Sequence, residues 1–250
     1  MPVATIADYK RTAYSTNIET EETDTTTNSV KIKHNSDDDY YFTEALPEDE
    51  KTSVDTYKGF YIGRYEAGDK ESTEAKTLRS SADATKTVTI KANQAPYNLV
   101  TRAQAISLAE GFATKQVYKA KTKLVSSYAW DTTIAFIQKV NSDYGSSTPQ
   151  GNYADTKITY VDITGTSQTK AAKPSAVLVP TGQTTPVCNI YDMGGNVWEW
   201  TTELCSDING VYSNRGGTYQ GFYAEHPAGL RDRYSDISSD LGFRIALFID

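Results

Sequence analysis

The sequence predicts an α+β chain, and three observations predict it. Short aromatic and β-branched runs bounded by glycine or aspartate read as strands, two segments place apolar residues at helical spacing behind a capping hydroxyl, and a long stretch rich in Thr, Ser, Gln, Gly and Pro reads as loop. With 250 residues and 38% hydrophobic content, the chain supports one core with irregular insertions.

From Thr20 to Asp39 the composition turns to Thr, Glu, Asp and Asn, with Asp37, Asp38 and Asp39 consecutive, which predicts a solvated arm or an irregular edge. The run Gly59-Phe60-Tyr61-Ile62-Gly63-Arg64-Tyr65-Glu66, stopped by Gly68 and Asp69, is the first strand. A second is expected from Lys86 to Ala92, where Val88 and Ile90 alternate with Thr and Lys. Thr101 precedes Gln104 by the spacing of a capping box, and Ala105, Leu108, Ala109 and Phe112 follow on one face, so a helix is expected over about Arg102 to Lys115. Ser126 and Ser127 offer caps for another helix, in which Trp130, Ile134 and Ile137 recur at helical spacing before Tyr144 and Gly145 end it. Trp130 reads as a core anchor. Residues 146–185 read as loops with one hairpin around Lys157 to Val161.

Composition removes several classes of function. A net charge of −7 with no cluster of Lys and Arg disfavours a phosphate backbone, so no nucleic-acid partner is expected. No apolar run approaches the roughly 20 residues of a membrane helix, so no membrane insertion is expected. Met1 to Lys10 lacks the charged start and apolar core of an export signal. Cys188 and Cys205 are the only cysteines, too few for a disulfide framework, and whether they pair stays open because the sequence does not show how closely their backbones approach. The 18 tyrosines supply large, stiff rings with a polar tip, a composition suited to a contact surface.

The most informative segment begins after Cys188. Asp192-Met193-Gly194-Gly195-Asn196-Val197-Trp198-Glu199-Trp200 joins a glycine turn to a tryptophan-bearing strand; Arg215-Gly216-Gly217-Thr218-Tyr219 follows, and Leu241-Gly242-Phe243-Arg244-Ile245-Ala246-Leu247 lies near the end. These three blocks, in this order, resemble the C-terminal half of the formylglycine-generating-enzyme (sulfatase-modifying-factor) family, whose pattern runs Gly-Asn-Val-Trp-Glu-Trp, Arg-Gly-Gly-Ser, Gly-Phe-Arg. Here Thr218 stands at the serine position. The resemblance is firm over residues 188–247 and weaker back to about residue 57. It implies a C-type-lectin-like fold with two helices, short antiparallel sheets, much irregular loop, and N- and C-terminal strands close together. The elements read from the residues are compatible with that fold without singling it out. The expected division is residues 1–56 as an N-terminal arm or lead-in strands, and 57–250 as the lectin-like domain with a variable binding region at 218–241.

Within the family, the enzymes hold copper through two cysteines in the loop after Arg-Gly-Gly-Ser, thiolates being soft partners for Cu(I). Gly221 and His226 occupy about those positions here, so no copper and no catalysis are expected. Iron-dependent relatives need a histidine cluster, and this chain has only His34 and His226. The resemblance further implies a structural calcium ion held by the Asp192 and Glu199 carboxylates and the Gly195 and Val197 carbonyls, hard oxygens from a tight turn. The segment from Thr218 to Leu241 also resembles the variable region of diversity-generating-retroelement proteins, which display a diversified surface on this fold. That likeness implies ligand contacts at Tyr219, Gln220, Gly221, Phe222, Tyr223, Glu225, His226, Leu230, Asp232 and Tyr234, all reachable by adenine-directed codon changes. Pro227, Ala228, Gly229, Arg231 and Arg244 read as scaffold.

The reading is a non-catalytic display protein, of phage or cellular origin, exposed on a virion or an extracellular surface and binding a cell-surface or host receptor protein or glycan. The alternatives are a family enzyme with altered chemistry and a structural cell-surface module.

Overall fold

The computed structural model describes residues 1–25, 29–35, 40–69, 87–116, 120–146, 149–172, 175–206 and 211–249. The chain begins with strands β1 (Glu19–Asp24), β2 (Ser29–His34) and β3 (Tyr40–Thr43), paired antiparallel in succession, and continues into helix α1 (Glu48–Tyr57). Glu48, Asp49 and Glu50 occupy the first turn of α1, where carboxylates complement the positive end of the helix. Lys58 closes it in the left-handed conformation, φ 57°. Short strands β4 (Tyr61–Ile62), β5 (Gly68–Asp69), β6 (Val88–Thr89) and β7 (Ala95–Pro96) lead to helix α2 (Arg102–Lys115), strand β8 (Lys121–Leu124) and helix α3 (Ser127–Ile137). The hairpin of β9 (Ile158–Val161) and β10 (Ser167–Lys170) precedes β11 (Trp198–Cys205), β12 (Tyr212–Arg215), β13 (Arg231–Tyr234), β14 (Leu241–Phe243) and β15 (Ile245–Phe248).

β11 organises the main sheet. It pairs antiparallel with β12 along its length and with β3 at its end, and parallel with β14, giving the order β1-β2-β3-β11-β12-β13 with β14 beside β11. A second sheet, β4-β15-β8, brings the strand near residue 61 against the end of the chain. Three apolar clusters lie among the described residues, the smallest formed by Ala13, Ile32, Tyr40, Phe42 and Cys205. Trp130, Ile134 and Ile137 of α3 pack with Val54 of α1, Phe60 and Phe248, while Leu108 and Ala109 of α2 pack with Trp200, Phe243 and Ile245.

Both expected helices form where periodicity and capping place them. Thr101 accepts from the Gln104 N–H and receives its side chain in return, and the Ser126 hydroxyl accepts from the Ala129 N–H. Trp130 is fully buried and donates its indole N–H to the Ala228 carbonyl at 3.0 Å. The hairpin around Lys157 to Val161 also forms, with Ser167–Lys170 as its second strand.

Three expectations change. The run Gly59 to Glu66 contributes only Tyr61–Ile62 to a ladder, because just two of its residues find partners on β15. The Lys86-to-Ala92 strand shrinks to Val88–Thr89, with Lys86 outside the described residues. Between Thr20 and Asp39, where an arm or an irregular edge is expected, the described residues form the β1–β2 hairpin at the edge of the main sheet, with Ile32 fully buried; Asp37, Asp38 and Asp39 lie outside the described residues. Helix α1 was not legible from apolar periodicity, since only Val54 among its apolar residues is buried. Among the described residues no helix is long and apolar enough to cross a membrane.

Candidate functional site

The first two motif blocks converge on the backbone of one loop, residues 216–230. Gly216 and Gly217 turn with φ 96° and 77°, and a Cβ on Gly217 would sit 2.2 Å from the His226 carbonyl oxygen, so the two limbs of the loop touch where only glycine fits. Arg215 reaches back across the returning limb: its Nη2 donates to the Gly229 carbonyl at 2.8 Å and its Nε to the Leu230 carbonyl at 3.2 Å. Trp130 holds Ala228, and the Gly229 N–H donates to the Gly145 carbonyl at 2.9 Å. On the other limb the Tyr219 N–H donates to the Asn196 carbonyl at 3.0 Å, and the Ala154 N–H donates to the Gly221 carbonyl at 2.9 Å. The Tyr153 hydroxyl closes the base on the Gly216 carbonyl at 3.1 Å.

Asn196, in the Gly-Asn turn, is the junction of that frame. It is left-handed at φ 62° and fully buried; its side-chain oxygen accepts from the Val179 N–H and the Asn152 amide, and its amide nitrogen donates to Glu66 at 2.7 Å. A residue with a short polar side chain tolerates this conformation and bonds three segments at once.

Beneath the loop lies a buried ion network. Arg231 pairs with Glu19, Asp131 and Glu203; Arg11 pairs with Glu203 at 2.8 Å and Arg215 with Asp131 at 2.6 Å, with every one of these side chains almost wholly shielded from water. Three guanidinium groups and three carboxylates balance one another there. Burial pushes the Glu203 carboxyl up, but Arg231, Arg11 and Arg215 outweigh it and hold the group down at about 2. The network ties the N-terminal residues, α3, β11 and both ends of the loop into one body.

Against this frame the expected contact residues divide. Gln220 and Glu225 are exposed, and Tyr219, Phe222 and Tyr223 are half-buried with their backbone fixed below. Tyr234 is 42% exposed on β13, next to the half-buried Asp232. Gly221 offers only backbone, and a Cβ there would meet the His226 Nδ1 at 2.4 Å. His226 turns its ring edge-on to Trp198 with centroids 5.5 Å apart. Leu230 is corrected: at 3% exposure it belongs to the core cluster with Trp198 and Leu241, because the Arg215 clamp draws its backbone inward, and it is scaffold. Pro227, Ala228, Gly229, Arg231 and Arg244 are all buried.

Gly221 and His226 are therefore neighbours, as the resemblance requires of its two thiol positions, but no thiol is there. Neither Cys188 nor Cys205 is in a disulfide; the first packs against the Trp130 core and the second beside Ile32, Tyr40 and Phe42. His34, the other histidine, stacks on Tyr40 with centroids 4.8 Å apart, and burial lowers its pKa against the opposing pull of Asp232.

The implied calcium set does not fit a cation as folded. Both Glu199 oxygens accept from Arg244, at 3.0 and 2.7 Å, and Asp192 accepts from the Gly182 N–H and the Thr184 hydroxyl. Arg244 also donates to the Gly63 and Tyr191 carbonyls, so Glu199 already has a cationic partner held in place by three segments. Among the described residues no group of three or more His, Cys, Asp and Glu is arranged to hold a metal. Gly195, with φ 72°, serves instead as a close-approach point, its N–H donating to the Gly216 carbonyl at 2.7 Å, and Val197 is buried.

Sequence reasoning missed the ion network and the contribution of the N-terminal hairpin. Arg233 of β13 lies 4.1 Å above the Tyr40 ring of β3, so the strand carrying Asp232 and Tyr234 touches the third N-terminal strand. The one sequence signal was Arg231-Asp232-Arg233-Tyr234, where charge alternates along a strand.

Comparison with known proteins agrees with the motif reading. The solved structures that are similar include that of PvdO from Pseudomonas aeruginosa (16% identity, covering 93% of this chain and 99% of that one, TM-score 0.49) and Treponema denticola variable protein 1 (15% identity, 92% and 90%, TM-score 0.48). The crystal structure of CarF is also similar, at 19% identity over 62% of this chain and 68% of that one, with a TM-score of 0.44. No curated protein is matched by sequence. The sulfatase-modifying factor enzyme 1-like domain matches residues 15–249, nearly the whole length, and the chain belongs to that family.

Proposed function

We propose that the chain is a non-catalytic display protein that binds a receptor protein or glycan through the outward side chains of residues 219–225 together with Asp232 and Tyr234. The observation that carries this reading is the division of labour in the loop: its backbone is bonded to Asn196, Ala154, Gly145, Arg215 and Trp130, while Tyr219, Gln220, Phe222, Tyr223 and Glu225 spend few of their side-chain groups on the frame. Rigid aromatics held this way lose little entropy on contact and dominate evolved binding surfaces. A surface of that design tolerates replacement of its side chains, which is what diversification by a retroelement requires. Exposure on a virion or an extracellular surface follows from the same role.

The flanking DNA tests diversification: the reading expects a reverse-transcriptase gene and a near-copy of the segment encoding residues 218–241 that differs at adenines, and a locus with neither would remove it. The enzyme alternative is tested separately. Incubated with copper and a cysteine-containing sulfatase peptide, the chain is expected to yield no formylglycine, since Gly221 and His226 stand at the thiol positions; formation of that product would overturn the assignment.

A further inference from the structure

A second surface lies away from the loop. On the β4-β15-β8 sheet the register puts Tyr61 opposite Leu247, and the last turn of α2 presents Phe112 across from them. Between sheet and helix a groove of about 300 Å³ remains open, bounded on its far side by Ile90. That volume lies at the small end of ligand-sized clefts. Two exposed cations, Arg64 and Lys91, also line it, and neither side chain has a hydrogen bond or ion pair among the described residues. Among the described residues no acid lines the groove, although the chain as a whole carries 32 acidic against 25 basic residues.

Apolar walls beside two cations that have no ion-pair partner among the described residues match one kind of ligand: a flexible apolar tail with a negative head. A guanidinium offers a planar fork to a carboxylate and an ammonium adds a mobile point charge, while octyl-sized tails cover the aliphatic and aromatic walls. A cationic or neutral molecule of the same shape would leave Arg64 and Lys91 facing it without a partner. We propose that this groove is a binding site for a small aliphatic monocarboxylate, separate from the 219–234 surface, with which it shares no lining residue.

Calorimetric titration of the whole chain with octanoate, octylammonium and 1-octanol tests it. Octanoate is expected to bind saturably at one site, and the other two at least about tenfold more weakly. The double variant Arg64→Glu, Lys91→Glu, whose side chains are exposed, is expected to weaken octanoate by about tenfold or more while leaving the far-UV circular dichroism unchanged. Leu247→Trp is expected to block the groove sterically, and Tyr219→Ala with Tyr223→Ala to leave octanoate binding unchanged. Absence of saturable octanoate binding, equal binding of octylammonium or octanol, or indifference to the charge reversal would overturn the proposal. Loss of octanoate binding in the Tyr219 and Tyr223 variant would place the ligand on the loop and overturn it as well.

Discussion

At the scale of single residues, Arg231 concentrates the most energy. It is fully buried with three carboxylate partners, and removing one member of a buried ion group leaves the others charged and shielded from water, at about 3–5 kcal/mol. Arg231→Ala is therefore expected to lower the urea midpoint by an amount equivalent to that range, far beyond the effect of Arg64→Ala, whose guanidinium is exposed. The pH dependence follows from Glu203. Its carboxyl is held down at about 2 in the folded chain against 4.5 ordinarily, so the folded state binds fewer protons than the unfolded one in between. A depressed acid contributes stability that is present above its ordinary pKa and is lost as pH falls toward the folded value. Denaturation midpoints measured from about pH 4.5 to about pH 2 are expected to fall steadily, a trend that a flat profile would contradict.

Among elements, α2 and α3 are the most local and β13 the least. The Thr101 side chain accepts from Gln104 at the start of α2, and Thr101→Ala is expected to cost about 1 kcal/mol by equilibrium unfolding. On the loop and β13 the expected contrast is between neighbours: Leu230→Ala costs about 2–5 kcal/mol because it opens a cavity beside Trp198 and Leu241, whereas Tyr234→Ala, at an exposed site, stays within about 0.5 kcal/mol. Locality also explains what the sequence made legible. Caps and apolar spacing lie within a few residues of each other, so α2 could be read with its bounds and α3 with its start, although α3 ends at Ile137, short of the expected stop at Tyr144 and Gly145. A two-residue strand such as Tyr61–Ile62 exists only because Leu247 and Ala246 pair with it from the far end of the chain. Glu19 reads as one more acid in a polar stretch, and its burial depends on Arg231, distant in sequence.

Over the whole molecule, the account separates a frame from a surface. The motif blocks were readable as family marks, and through them the position of the loop; the frame itself was not, because Arg11, Glu19, Asp131, Glu203, Arg215 and Arg231 come from separate segments and carry no common spacing. The reassignment of Leu230 from surface to scaffold marks the same boundary, since a sequence shows which residue types fall in a loop but not which way each side chain points. If the frame alone fixes the loop, the outward side chains are interchangeable. The direct measurement is to randomise Tyr219, Gln220, Phe222, Tyr223, Glu225 and Tyr234 together, select the pool against one folded protein target, and melt the survivors. The account predicts binders whose melting temperatures stay close to the parent's and whose binding is lost when the six positions are returned to alanine. A pool that unfolds, or one that folds and yields no binder, would contradict it.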